Sequence, residues 1–352
     1  MNQHALEAQD LYKSFGEREV LRGLSMQVAP GNVMGFVGAN GAGKTTTMRI
    51  FMGITGADRG RVSLGGAAID DRARTRIGYM PEERGLYPKM KVLEQLVYFA
   101  RLHGLDKTAA TAAAKTWLQR LGVWERHNDS LEKLSLGNQQ RVQLAAALVH
   151  DPEALILDEP FSGLDPLAVD VMSGVLMEYA SRGVPVIFSS HQLSLVEDLC
   201  THVSITSGGR VVASGEVDAL RRESSVATVL LEGDEAGVSA ALAKARELER
   251  PVHKGVEGTL VEESAHQAPV GPGLARIEIE VDNLSPEGHQ ILLAATTAGT
   301  VTNYSPVVRS LAEIFRNTVE PPSSPSETAS EENPSGGRKL PWGPRRRKGA
   351  QR

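Results

Sequence analysis

The chain has 352 residues, 41% hydrophobic and 23% charged, which is enough apolar content for a sizeable core and excludes a wholly disordered protein. A formal net charge of -5 and a pI near 6.0 give no overall reason to expect nucleic acid or an anionic membrane as the main partner. The single cysteine, Cys200, excludes an internal disulfide, Met1 to Glu7 has no signal-peptide pattern, and no run approaches the ~18 apolar residues of a membrane span; the chain reads as soluble and cytoplasmic.

In chain order, residues 5–37 read as short strands with turns at Gly16 to Glu19 and Ala29 to Asn32. Phe15 sits at the first turn. Spacing alone favours a core residue of a small sheet; the other reading, a ring on which a base stacks, needs support from elsewhere. The apolar run Val33 to Val37 leads into Gly38-Ala39-Asn40-Gly41-Ala42-Gly43-Lys44-Thr45, and a helical stretch follows from Thr46 to Met52. Strand, glycine-rich loop and helix in this order form a phosphate-binding loop. Its glycines let successive backbone N–H groups turn inward around phosphate oxygens, and the helix adds its positive dipole end. Lys44 would bridge the terminal phosphates and the Thr45 hydroxyl would bind Mg²⁺.

Gly60 to Gly66 reads as a hairpin arm and Arg76 to Tyr79 as a short strand before Met80-Pro81-Glu82-Glu83. From Val92 to about His150 the apolar period becomes helical, with an alanine-rich helix over Lys107 to Leu121. Its last helix opens at Leu134 to Gln140, where Ser135 reads as an ordinary cap. Ala154 to Leu157 is a buried parallel strand that delivers Asp158 and Glu159. Two adjacent acids there are costly unless a cation or hydrogen bonds receive them, and beside a phosphate loop the cation expected is Mg²⁺. Asp158 would hold it and Glu159 would orient the attacking water. Gly183 to Phe188 is a further buried strand, ending in Ser189-Ser190-His191. A histidine at a strand end is usually structural, but this one shares the sheet edge where open parallel sheets place their ligands. Cys200 falls on the apolar face of Leu193 to Leu199, as a small packed side chain.

Taken together, these pieces resemble, in order, the nucleotide-binding subunit of ABC transporters over residues 4–222. The resemblance implies an α/β fold, a P-loop NTPase core with an antiparallel β subdomain and a helical subdomain at about 84–150. It implies ATP hydrolysis, with ATP and Mg²⁺ as the bound species. Phe15 would stack on adenine. Gly38, Asn40, Gly41, Gly43, Lys44, Thr45 and Thr46 would hold the nucleotide, and Ser135, Gly137 and Asn138 would cover the nucleotide of a second subunit. Thr45, Asp158 and Glu82 would face the metal, and Glu159, His191 and Lys44 would carry the chemistry. Two positions depart from the common pattern: Glu82 replaces a glutamine, and the signature reads Leu-Ser-Leu-Gly-Asn. Glu82 still offers an oxygen, but it adds a negative charge beside the terminal phosphate.

The resemblance also implies partners: a second ABC ATPase subunit, head to tail, and a separately encoded transmembrane permease docked near Glu83 to Met90. No nucleic acid is expected, and the chain would sit peripherally at the inner face of the membrane. Beyond residue 222 alternating strands and helices to about 320 resemble the small α+β appendage of sodium-extrusion-type exporter ATPases, which suggests export of an ion, drug or other small solute. Residues 321–352, rich in Pro and Ser and ending in Arg345-Arg346-Arg347-Lys348, read as a disordered basic tail. The rival reading is a soluble ABC-type ATPase acting on ribosomes or DNA; one phosphate loop and the lack of sustained heptads speak against it.

Overall fold

Val33, Gly35 and Val37 form the middle of the molecule, because the strand they occupy is covered on both faces. In the computed structural model, which describes residues 5–83, 85–223, 226–247, 275–282, 286–299, 301–303 and 310–319, that strand is β3 (Val33–Gly38). It is preceded by two long antiparallel strands, β1 (Leu6–Phe15) and β2 (Arg18–Val28). After it come α1 (Lys44–Phe51), β4 (Arg59–Leu64), β5 (Ala67–Ala68), α2 (Asp71–Arg74) and β6 (Ile77–Met80). Three helices follow, α3 (Val92–Leu102), α4 (Lys107–Arg120) and α5 (Leu136–Leu148). The chain then returns to the sheet through β7 (Ala154–Leu157), α6 (Pro166–Ser181), β8 (Val186–Ser189), α7 (Leu193–Leu199), β9 (His202–Ser207), β10 (Arg210–Glu216) and α8 (Val217–Glu223). The last elements are β11 (Val226–Gly233), α9 (Glu235–Glu247), β12 (Ala275–Asp282), α10 (Pro286–Ala298), β13 (Val301–Asn303) and α11 (Leu311–Val319).

The strands form a β2-β1-β4-β5 antiparallel sheet, a β10-β9-β3-β8-β7-β6 sheet and a β12-β11-β13 sheet. In the second, β3, β6, β7, β8 and β9 are parallel and β10 returns antiparallel at one edge. Alternation assigns the two faces. Met34, Phe36, Ile156 and Ile187 pack with Leu6, Leu24, Met48 and Phe51 toward the antiparallel sheet and α1. Val33, Val37, Leu157 and Phe188 pack on the other face with Met172 and Tyr179 of α6 and with residues of α3 to α5. Both layers exclude water, which is why β3, β7 and β8 are continuous apolar runs. The expected α/β core, with its antiparallel and helical parts, is the fold.

Some bounds differ from the sequence reading. The first two strands are ten and eleven residues long, where short strands were expected, because shifts in register let polar positions continue the ladder. The helices α9 and α10 begin at Glu235 and Pro286; proline at a first helical position needs no N–H partner. Cys200 is buried, and burial pushes its thiol up. Helix α11 packs Leu311 and Ile314 into the same core as Val196, Cys200 and Val217. Arg84, within the expected permease-docking stretch, and the basic tail from 321 lie outside the described residues.

Candidate functional site

The ends of β3, β7 and β8 lie side by side, and the loops leaving them open into a cleft of about 500 Å³. One wall is the phosphate loop itself, through Asn40, Gly41, Gly43, Lys44, Thr45 and Thr46. Gly43 has φ 102°, and a Cβ there would stand 2.5 Å from Leu21 Cδ2, so the loop's path requires a glycine at that point. No side chain caps α1 and no acid lies in its first turn. Its leading N–H groups and dipole end are therefore left for an anion in the cleft.

Lys44 lies folded back over the loop, its Nζ donating to Gly38 O at 2.7 Å and Ala39 O at 3.4 Å. Burial lowers its pKa, while the carboxylates of Glu159, Asp158 and Glu82 act in the opposite sense. Those three acids line the cleft with it. Asp158 is buried, with Oδ1 accepting the Ser189 hydroxyl at 2.5 Å. Its Oδ2 is buried with no hydrogen-bond partner among the described residues. Glu159 has φ 49°, a left-handed conformation that few non-glycine residues hold without support. Support comes from its N–H, which donates to Ser189 Oγ at 2.8 Å, and its carbonyl, which accepts Gln140 Nε2 at 3.1 Å. Its side chain lies 2.9 Å from His191 Nδ1 through Oε2. An acid held by an imidazole and aimed at a phosphate loop can accept a proton from water there.

Phe15 is 54% exposed at the hairpin tip and lines the cleft, which overturns the core reading that spacing favoured. Lys13 Nζ lies 5.4 Å from its ring centroid and is held by Asp58 at 2.8 Å. Ser135 caps α5, accepting the Asn138 N–H at 3.4 Å. Ser135, Gly137 and Asn138 do not line this cleft, so within one chain the structure does not bring them to the phosphate loop and its acids. Four residues escaped the sequence reading: Arg18 on the cleft wall, Ser189 beneath the acids, and Gln140 and Gln143 of α5. The signal for the two glutamines was present as polar positions on an apolar helix face.

Among the described residues no group of three or more His, Cys, Asp or Glu could hold a metal ion. The orphaned Asp158 Oδ2 nevertheless fits a hard cation that takes its other ligands from a hydroxyl, water and phosphate, as Mg²⁺ does beside nucleotides.

Residues 21–162 match the family model described as ABC transporter. The chain is 42% identical over 223 residues to the ABC transporter ATP-binding protein YhaQ of Bacillus subtilis, covering 63% of this chain and 75% of that one. It is 37% identical to a Nod factor export ATP-binding protein of Paraburkholderia xenovorans, covering 62% and 73%. Among solved structures, an ATP-binding subunit of an ABC transporter matches with a TM-score of 0.58 and 31% identity, over 62% of this chain and 92% of that one. A dimeric ABC transporter cassette, at 20% identity and a TM-score of 0.56, has the same fold over 60% of this chain and 98% of its own.

Proposed function

The chain belongs to the family of ABC transporter ATP-binding proteins and is an ATPase of that family, and we propose that it powers export through a separately encoded permease. The name of one similar protein, for Nod factor export, supports the direction. No helix among the described residues is long and apolar enough to cross a membrane; the permease would be a separate chain, with this one peripheral beside it. Residues 4–222 would carry the chemistry and residues 223–320 would form the appendage, whose last helix, α11, packs back on the ATPase core. Two ATPase subunits would pair head to tail, each covering the other's nucleotide with Ser135, Gly137 and Asn138.

The observation that carries the mechanism is the 2.9 Å contact between Glu159 and His191 at the rim of the phosphate-loop cleft. ATP would enter with its base toward Phe15 and its phosphates on the loop amides. Asp158, the Thr45 hydroxyl and Glu82 would hold Mg²⁺, which when bound draws charge from the phosphate oxygens. Glu159 accepts the proton of the attacking water while His191 fixes the carboxylate and meets the terminal phosphate. Lys44 and the α1 end balance the charge that develops on the phosphoryl oxygens. Turnover of wild type beside Glu159→Gln, with size-exclusion chromatography in ATP and Mg²⁺, tests this reading. The variant should lose activity by about 100-fold or more and persist as a dimer. Equal turnover by the two forms would sink the role of Glu159.

A further inference from the structure

One helix touches both loops that carry the exposed-side acids of the cleft. Gln140 and Gln143 of α5 stand at i, i+3 spacing and are both buried. Gln140 Nε2 donates to the carbonyls of Glu159 at 3.1 Å and Pro160 at 3.0 Å. Gln143 Nε2 donates at 2.6 Å to the carbonyl of Pro81, the residue before Glu82. The two loops leave neighbouring strand ends: β6 and β7 are parallel with Met80 opposite Leu157, and Asp158 N donates to Met80 O at 2.7 Å.

The helix is seated firmly at this point. A Cβ on Gly78 of β6 would stand 2.4 Å from the Ala147 carbonyl, so α5 and β6 approach as closely as backbones without a side chain between them allow. Around Gln143 the helix is apolar and buried at Val142, Leu144 and Ala147. A leucine would fill position 143 at less desolvation cost than an amide. What leucine lacks is the N–H that reaches Pro81, whose carbonyl lies just past the end of β6, beyond the strand ladder.

We infer that Gln143 is a positioning residue for Glu82: it fixes the carbonyl that precedes Glu82, and together with Gln140 makes α5 a spacer that sets the distance between the Glu82 and Glu159 loops. The same helix begins at Ser135, Gly137 and Asn138. A displacement of that end, when it meets a second subunit's nucleotide, is thereby passed to both acids through two amides. The inference rests on the reading of Glu82 as a metal contact.

The test uses the full chain with Gln143→Met, Glu82→Ala and the double variant, reading the binding of a fluorescent ATP analogue at graded Mg²⁺ together with the melting temperature. Gln143→Met should raise the Mg²⁺ concentration for half-maximal binding about 10-fold, leave metal-free binding of the analogue unchanged, and add nothing in the Glu82→Ala background. If Glu82→Ala shifts the Mg²⁺ dependence and Gln143→Met does not, the inference falls while the metal reading stands. If Glu82→Ala itself shifts nothing, that reading falls and the inference falls with it. A lower melting temperature with unchanged Mg²⁺ dependence makes Gln143 a packing residue and overturns the inference. Gln143→Leu serves in place of Gln143→Met should the latter fail to fold.

Discussion

The Ser189 hydroxyl donates to Asp158 Oδ1 at 2.5 Å, and Ser189 Oγ itself accepts the Glu159 N–H at 2.8 Å. One side chain from β8 therefore orders two consecutive acids leaving β7. Both hydrogen bonds are sheltered, since Ser189 is fully buried and Asp158 is 1% exposed. Ser189→Ala would leave the Asp158 carboxylate without its donor and the strained Glu159 backbone without its acceptor. We expect a loss of about 1 to 3 kcal/mol of stability in denaturant unfolding and a fall in turnover of about 10-fold or more. A variant that melts with wild type and turns over at the wild-type rate would show that this hydroxyl orders neither acid.

Phe15 is exposed, so its removal should cost the fold little, within about 0.5 kcal/mol. Its proposed work is on the base. Phe15→Ala should weaken equilibrium binding of ATP by about 5-fold, the scale of one stacking contact, while Phe15→Trp keeps most of it. Lys13 already lies over the ring, held by Asp58, whose own pKa is lowered chiefly by the hydrogen bond from Lys13. Unchanged affinity in Phe15→Ala would place the base elsewhere in the cleft.

The elements that were easiest to read are those whose environment is the same on every side. β3, β7 and β8 are apolar at each position because helices or a second sheet cover both faces, and that uniformity is visible in a short window. The glycines of the phosphate loop and the paired acids Asp158 and Glu159 were legible for a similar reason, since each is demanding locally. Phe15 was misread from spacing because alternation in β1 cannot tell a core position from a hairpin tip that overhangs a cleft. Ser189 gave no signal and Gln143 only that of a polar position on an apolar helix face, because their partners lie far off in the chain, 31 residues away at Asp158 and 62 away at Pro81.

His150 follows α5 and stacks on His103, with ring centroids 3.6 Å apart and planes 11° from parallel. Burial, reinforced by the His103 charge, pushes its pKa down to about 4 from 6.5, and Asp151 opposes this only in part. The folded state thus holds His150 neutral, whereas the unfolded chain protonates it below about 6.5. Stability from this site is complete above pH 6.5 and is lost as the pH falls from there toward 4. We expect about 3 kcal/mol of stability to disappear over that window. His150→Phe, which keeps a ring to stack on His103, should flatten this part of the curve of unfolding free energy against pH. An unaltered slope would mean that the acid lability originates at other groups.

Helix α11 belongs energetically to the ATPase core, and its anchoring is specific. Ser310 and Glu313 cap each other's backbone, Ser310 N donating to Glu313 Oε2 at 2.8 Å and Glu313 N to Ser310 Oγ at 3.3 Å. The next N–H, of Leu311, crosses to Glu197 Oε1 of α7 at 2.7 Å, and Glu197 also pairs with Arg221 of α8 at 3.5 Å. A carboxylate at a helix N-terminus is favoured by both hydrogen bonding and the helix dipole. Below it, Leu311 and Ile314 are buried against the core that includes Val196 and Cys200. Ile314→Ala should therefore cost about 2 to 4 kcal/mol and Glu197→Ala about 1 kcal/mol, both read from denaturant unfolding of the full chain. The cleft lies on other loops, so equilibrium ATP binding by either variant at low temperature should match wild type. If Ile314→Ala leaves the unfolding transition where it was, α11 contributes nothing to holding α7 in place. If binding is lost while the fold survives, α7 transmits the state of α11 to His191, which precedes it by two residues.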